Sequence, residues 1–97
     1  MVELSALRVF LVAAEERNFS KAAKRLHMSQ SAISQNIQTI ERAYKIDLFN
    51  RHGRTVELSE AGQNILPMVR EVLLAARLLE DGLQDVNSQV GGELLIG

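Results

Sequence analysis

The chain has 97 residues, a hydrophobic fraction of 46%, 24% charged residues and a formal net charge of −1. That is one small globular unit with room for one extension, and its core is small enough to gain from a partner. It has no cysteine, which excludes disulfides and thiolate metal sites, and it holds no apolar run of about 20 residues that could span a bilayer.

The near-neutral charge hides a split. Residues 1–58 carry nine Lys/Arg against six Asp/Glu, a net of +3, and residues 59–97 carry two against six, a net of −4. Within residues 20–56 the balance is seven bases to two acids, +5. A basic head beside an acidic tail favours one face turned toward a polyanion.

In chain order, Leu4, Leu7, Phe10, Leu11 and Ala14 recur at helical spacing, so residues 3–16 are predicted to be an amphipathic helix. Arg17, Asn18 and Phe19 interrupt it. Ser20 is the expected N-cap of a short second helix over 21–26, with Ala22, Ala23 and Leu26 as its apolar side. After His27 and Met28, Ser29 is the expected cap of a third helix over about 30–44.

The third helix has two contrasting faces. Ile33, Ile37, Ile40 and Tyr44 form an apolar stripe directed at a core, while Ser31, Ser34, Gln35, Gln38 and Arg42 form the opposite face. Serine adds little to helix propensity and neither serine nor glutamine carries a charge for solubility, but their side chains hydrogen-bond well to base edges. A short helix, a tight turn and a longer helix with such a face constitute a helix-turn-helix. Its second helix enters the major groove by its N-terminal half, here Ser29, Gln30, Ser31, Ser34 and Gln35. Ser20, Lys21 and Lys24 are candidates to grip the phosphate backbone.

Two short extended runs, around 48–51 and 55–58, flank a turn containing Gly53 and predict a β-hairpin wing whose tip carries Arg51, His52 and Arg54. Arg54 is the candidate for a narrow minor groove. Ser59 is the expected cap of a fourth helix reaching about Gln89. Along it Ile65, Val69, Val72, Ala76, Leu79, Leu83, Val86 and Val90 alternate steps of four and three, an unbroken heptad seam that a second copy of the chain could cover. Pro67 should kink this helix near its start. Gly91 and Gly92 are expected to stop it, and Glu93–Gly97 reads as a strand without a partner, so the natural chain is expected to continue into another domain.

The expected fold class is therefore mainly α. A winged helix-turn-helix head over 1–58, with three helices and a short hairpin, is followed by a dimerisation helix over 59–90 and a hinge over 91–97. His27 and His52 lack clustered acids, and no paired carboxylates, metal-ligand spacing or nucleophile elbow is present, so an enzyme is not expected. The competing function is a winged-helix module that binds protein and not DNA, although such a module would not need a basic wing and a polar recognition face.

The segment Ala22-Ala23-Lys24-Arg25-Leu26-His27-Met28-Ser29-Gln30-Ser31-Ala32-Ile33-Ser34-Gln35-Asn36-Ile37 resembles the helix-turn-helix signature of LysR-type transcriptional regulators. Leu7-Arg8-Val9-Phe10, Glu15, Phe19-Ser20, Glu41, Leu48-Phe49-Asn50-Arg51, Leu58-Ser59-Glu60-Ala61-Gly62 and Gly92-Glu93-Leu94-Leu95-Ile96-Gly97 also fall where that family's pattern puts them. The resemblance covers essentially the whole chain. It implies a cytoplasmic bacterial regulator that binds interrupted inverted repeats in double-stranded DNA and has no membrane association. The linker helix would pair antiparallel in a homodimer, and the full-length protein would be a homotetramer. No cofactor is implied for this fragment, and a small-molecule inducer would bind a C-terminal effector domain missing from it. By position Gln30, Ser31 and Ser34 match the family's major-groove residues and Arg54 its wing arginine. The chain departs from the pattern at Gln35, usually Arg or Lys, and at Lys45, usually the Gly that ends the third helix.

Overall fold

The computed structural model describes the backbone of residues 2–53 and 55–93, and side chains as far as Val86. The element order is α1 (Leu4–Glu16), α2 (Phe19–Leu26), α3 (Gln30–Tyr44), β1 (Phe49–His52), β2 (Thr55–Leu58) and α4 (Glu60–Glu93). Helices α1, α2 and α3 pack on one another, the antiparallel β1–β2 hairpin sits against them, and the start of α4 returns across α1.

α3 buries its predicted isoleucine stripe and α2 buries Ala22 and Ala23, but the buried face of α1 is rotated from the predicted one: Ala6, Val9, Phe10, Val12 and Ala13 are buried, Leu7, Leu11 and Ala14 are only half-buried, and Leu4 is exposed. Val9, Phe10, Val12 and Ala13 of α1, Ala22 and Ala23 of α2, and Ile33, Ile37 and Ile40 of α3 meet in one core with Leu48, Phe49, Val56 and Val69. The three phenylalanines form its centre. Phe49 lies 5.6 Å from Phe10 and 5.6 Å edge-on from Phe19, separations at which the ring quadrupoles attract. Tyr44 departs from the predicted core stripe and is exposed. It is the last residue of α3 and borders an open groove beside Ser5 and Ala6 of α1.

The second helix starts earlier than expected. Its cap is Asn18, whose Oδ1 accepts from the Lys21 N–H at 2.9 Å, and not Ser20. Phe19, buried against Phe49, draws the first turn toward the N-terminus. The other two predicted caps hold: Ser29 Oγ accepts from Ala32 N–H and Ser59 Oγ from Gly62 N–H, each at 3.0 Å. α1, α2 and α3 all end on a non-glycine residue in the left-handed region, Arg17 (φ 54°), His27 (φ 56°) and Lys45 (φ 55°). Arg25 of α2 reaches back to α1, with Glu15 at 2.8 Å and Glu16 at 3.2 Å, and its pKa is raised by hydrogen bonding to Glu15 and then Glu16.

Two features of α4 correct the sequence expectation. Gly91 and Gly92 do not stop the helix, which continues to Glu93. Glycine lowers helix propensity by about 1 kcal/mol, but a left-handed stop also depends on contacts made by the residues downstream of it. The strand expected over 93–97 therefore loses Glu93 to the helix, and residues 94–97 lie outside the described residues. The heptad seam is also divided in use. Val69 is buried in the chain's own core and Ile65 packs against it, joined by Leu66 and Leu73, whereas Val72, Leu79, Leu83 and Val86 are exposed. The seam near the head is thus consumed by α1. Beyond it, Ala76 is half-buried, and the exposed apolar row consists of Met68, Val72, Ala75, Leu79, Leu83 and Val86. The helix is unbroken across Pro67, and it is about 51 Å long at 1.5 Å per residue. Among the described residues no helix is long and apolar enough to cross a membrane.

Candidate nucleic-acid interface

The outer face of α3 is built by its own periodicity. With the three isoleucines fully or nearly buried, Ser31, Gln35 and Arg42 are left exposed on the opposite side and Gln38 half-buried beside them. Their spacing of four, three and four residues places them in one row that contains no acid. Gln38 Oε1 accepts from Arg42 Nη2 at 3.3 Å, so the C-terminal end of the row is ordered by a neutral–cation hydrogen bond. Ser29 spends its hydroxyl on capping, which leaves its side chain less free to read a base than the sequence suggested.

Beside this row a cleft of about 640 Å³ opens between the start of α3 and the wing, lined by Asn18, Phe19, Ser20, Gln30, Ser34, Arg51, Gly53 and Val56. It brings together four of the predicted contact residues, Ser20, Gln30, Ser34 and Arg51. Gln35 lies on the other flank of α3, in a groove shared with Val2, Glu3 and Ser5 at the start of α1. Lys21 and Lys24 are exposed on α2. Arg54 lies outside the described residues.

The wing is anchored at several points. Its register pairs Phe49 with Leu58 and His52 with Thr55, and Gly53 supplies the positive φ of 62° that its two-residue loop requires. The Val56 N–H donates to the Arg17 carbonyl at 3.2 Å, fixing β2 to the turn before α2. The Leu48 peptide is held from both sides: its N–H donates to Glu41 Oε2 at 2.8 Å, and its carbonyl accepts from the Ser59 N–H at 3.0 Å. Arg51 sits 3.4 Å from Glu41 and 5.5 Å above the Phe19 ring, with its side chain 41% exposed. It therefore stiffens the wing while still bordering the cleft.

Sequence reasoning missed the bracing role of Glu41. The available signal was its position, since only Glu41 and Asp47 are acidic within the basic stretch 20–56. Among the described residues no cluster of three or more His, Asp or Glu side chains could hold a metal ion.

Residues 4–63 match the family described as "Bacterial regulatory helix-turn-helix protein, lysR family". The chain belongs to the LysR family. Among its LysR relatives, it is 36% identical over 95 residues to an HTH-type transcriptional regulator from the ibpB–leuC intergenic region of Azotobacter vinelandii, covering 98% of this chain and 66% of that protein. It is 43% identical over 70 residues to the carbapenem-hydrolyzing β-lactamase transcriptional activator of Serratia marcescens, covering 72% of this chain and 24% of that one. Among solved structures, a hydrogen peroxide-bound cysteine mutant of Corynebacterium glutamicum OxyR superposes with a TM-score of 0.85 at 31% identity, over 90% of this chain and 27% of that one. The DNA-binding domain of CbnR, solved in complex with DNA, gives 0.81 at 34% identity, over 88% and 98%. The chain thus corresponds in extent to an isolated DNA-binding domain, and it spans between 24% and 66% of the length of the two relatives above.

Proposed function

We propose that this LysR-type chain binds duplex DNA sequence-specifically, as the operator-binding part of a transcription regulator. α3 enters the major groove, the β1–β2 wing flanks it, and two copies join along α4. The observation that carries this reading is the acid-free row Ser31, Gln35, Gln38 and Arg42, held outward by Ile33, Ile37 and Ile40 beside a cleft bordered by the wing. Such a face hydrogen-bonds base edges without repelling phosphates. The DNA complexes of the CbnR and BenM DNA-binding domains support the same use of the fold.

In this reading the chain performs no catalytic step and needs no cofactor. A small-molecule inducer would act on an effector domain outside this chain, in a full-length, cytoplasmic homotetramer. The head over 1–58 reads DNA and α4 sets the spacing of two heads, which must present their α3 helices about 34–36 Å apart to reach successive major grooves.

Fluorescence anisotropy against an inverted-repeat duplex selected from a random pool, titrated at rising salt, tests this. Affinity should fall steeply, with log K linear in log salt and a slope reflecting several phosphates per subunit. A flat response, or equal affinity for the scrambled duplex, would overturn it in favour of a protein-binding winged helix.

A further inference from the structure

Ser20 and Gln30 belong to different helices, yet Ser20 Oγ donates to Gln30 Oε1 at 2.9 Å. Ser20 lies in the first turn of α2, Gln30 is the first residue of α3, and both line the cleft between α3 and the wing. A glutamine carboxamide has an acceptor end and a donor end, and the base it reads depends on which of them is available. With both ends free it pairs bidentately with adenine, accepting from N6 and donating to N7. Here Ser20 takes one of the two lone pairs of the oxygen and so holds the oxygen end of the carboxamide toward α2. That oxygen also sits beside the first turn of α2, where unsatisfied backbone N–H groups favour a negative atom. The Nε2 amino group, at the other end of the carboxamide and without a hydrogen-bond partner among the described residues, is the end left to meet a ligand in the cleft.

We propose that Ser20 is a positioning residue that fixes Gln30 as a hydrogen-bond donor, so that the interface selects a base edge carrying acceptors, guanine N7 and O6 foremost, and discriminates against adenine. At adenine the N6 amino group would face the Gln30 amino group, donor against donor. This inference rests on the DNA-binding reading above and adds the polarity of one contact to it.

The experiment uses the full chain and the duplex selected by the wild type. Gln30→Ala first locates the base pair whose preference depends on Gln30. At that pair the wild type should favour guanine over adenine by roughly tenfold, the scale of one well-made base contact. Replacing that guanine by 2-aminopurine, which keeps N7 but lacks O6, should remove most of the preference, because N7 is common to both purines. Ser20→Ala should bring the two bases to within about twofold by releasing the carboxamide. Ser20→Thr, which keeps the hydroxyl, should restore the preference. A role for Ser20 in gripping phosphate alone would weaken binding to every sequence equally and leave the ratio untouched. That outcome, or a wild-type preference for adenine at the Gln30-dependent pair, overturns the inference while DNA binding stands. A chain that binds no duplex overturns the DNA-binding reading and this one together.

Discussion

Glu41 and Arg51 stand 3.4 Å apart across the boundary between α3 and the wing, and the same carboxylate accepts from the Leu48 N–H at 2.8 Å. The two interactions differ in weight. Arg51 is 41% exposed, so its ion pair is screened and worth well under about 1 kcal/mol. Leu48 is buried, and its N–H is satisfied by the Glu41 carboxylate, so losing that hydrogen bond costs about 1–3 kcal/mol. Glu41→Ala should therefore lower stability by about 1–3 kcal/mol in urea unfolding. Glu41→Gln, which keeps an acceptor oxygen, should lose less than half as much. Equal losses in the two variants would assign the effect to the charge and not to the Leu48 bond.

The N-terminus of α4 is packed so closely on the strand entry that only glycine fits at position 62. A Cβ there would lie 2.3 Å from the Leu48 carbonyl oxygen, a backbone atom with no freedom to yield. Gly62→Ala should destabilise the head by about 1–3 kcal/mol or more. At Gly82 an added Cβ meets nothing within 4 Å, so Gly82→Ala should instead add about 1 kcal/mol of helix stability. Thermal unfolding of the two variants side by side checks the contrast, and a tolerated Gly62→Ala would mean that α4 can shift away from Leu48.

Much of this fold was legible because it depends on local periodicity and capping. The three isoleucines of α3, the Ser29 and Ser59 caps and the Gly53 turn each act within a few residues of their own position. The features that could not be read depend on contacts between distant segments. Asn18 replaces Ser20 as cap because Phe19 is drawn onto Phe49, thirty positions away. Glu41 becomes a brace only once Leu48 and Arg51 fold back to it. The heptad seam of α4 has no internal mark showing where α1 ceases to cover it, so Val69 and Leu79 look equivalent in sequence and are opposite in burial. The glycine pair at 91–92 misled because a helix stop is set by the contacts of the residues beyond it, not by glycine alone. Within the candidate interface, the residue types were legible, but the Ser20–Gln30 pairing was not.

Lys45 ends α3 at φ 55°, ψ 47°, a conformation that costs a side chain with a Cβ about 1 kcal/mol relative to glycine. The backbone bonds that close this end, including the Ile46 N–H to the Glu41 carbonyl at 3.0 Å, do not involve the lysine side chain. Lys45→Gly should therefore stabilise the head by about 0.5–1 kcal/mol, part of the relief being offset by the greater freedom of glycine in the unfolded chain. The midpoint of urea unfolding should rise with an unchanged slope. A fall would show that the lysine stem makes a compensating contact.

The divided seam of α4 predicts two different failures from substitutions at positions that look equivalent in sequence. Val69 is 3% exposed and belongs to the core of its own chain, whereas Leu79 is 63% exposed and Leu83 58%. Val69→Ala should weaken the head by about 1–3 kcal/mol, since it removes buried methyl groups, while leaving self-association to the exposed row of Met68, Val72, Ala75, Leu79, Leu83 and Val86. Leu79→Asp or Leu83→Asp should do the reverse. In a single chain the new charge would lie in water at little cost, but in a paired α4 it would be buried without a partner, which is strongly unfavourable. Sedimentation velocity should then show a monomer whose near-UV spectrum and unfolding midpoint, measured at a concentration where the wild type is also monomeric, are unchanged. DNA affinity should fall with it, because two linked heads bind a repeated site far better than one. A Leu79→Asp chain that still sediments as a dimer would place the contact between copies on a different surface, and the exposed row would then need another partner.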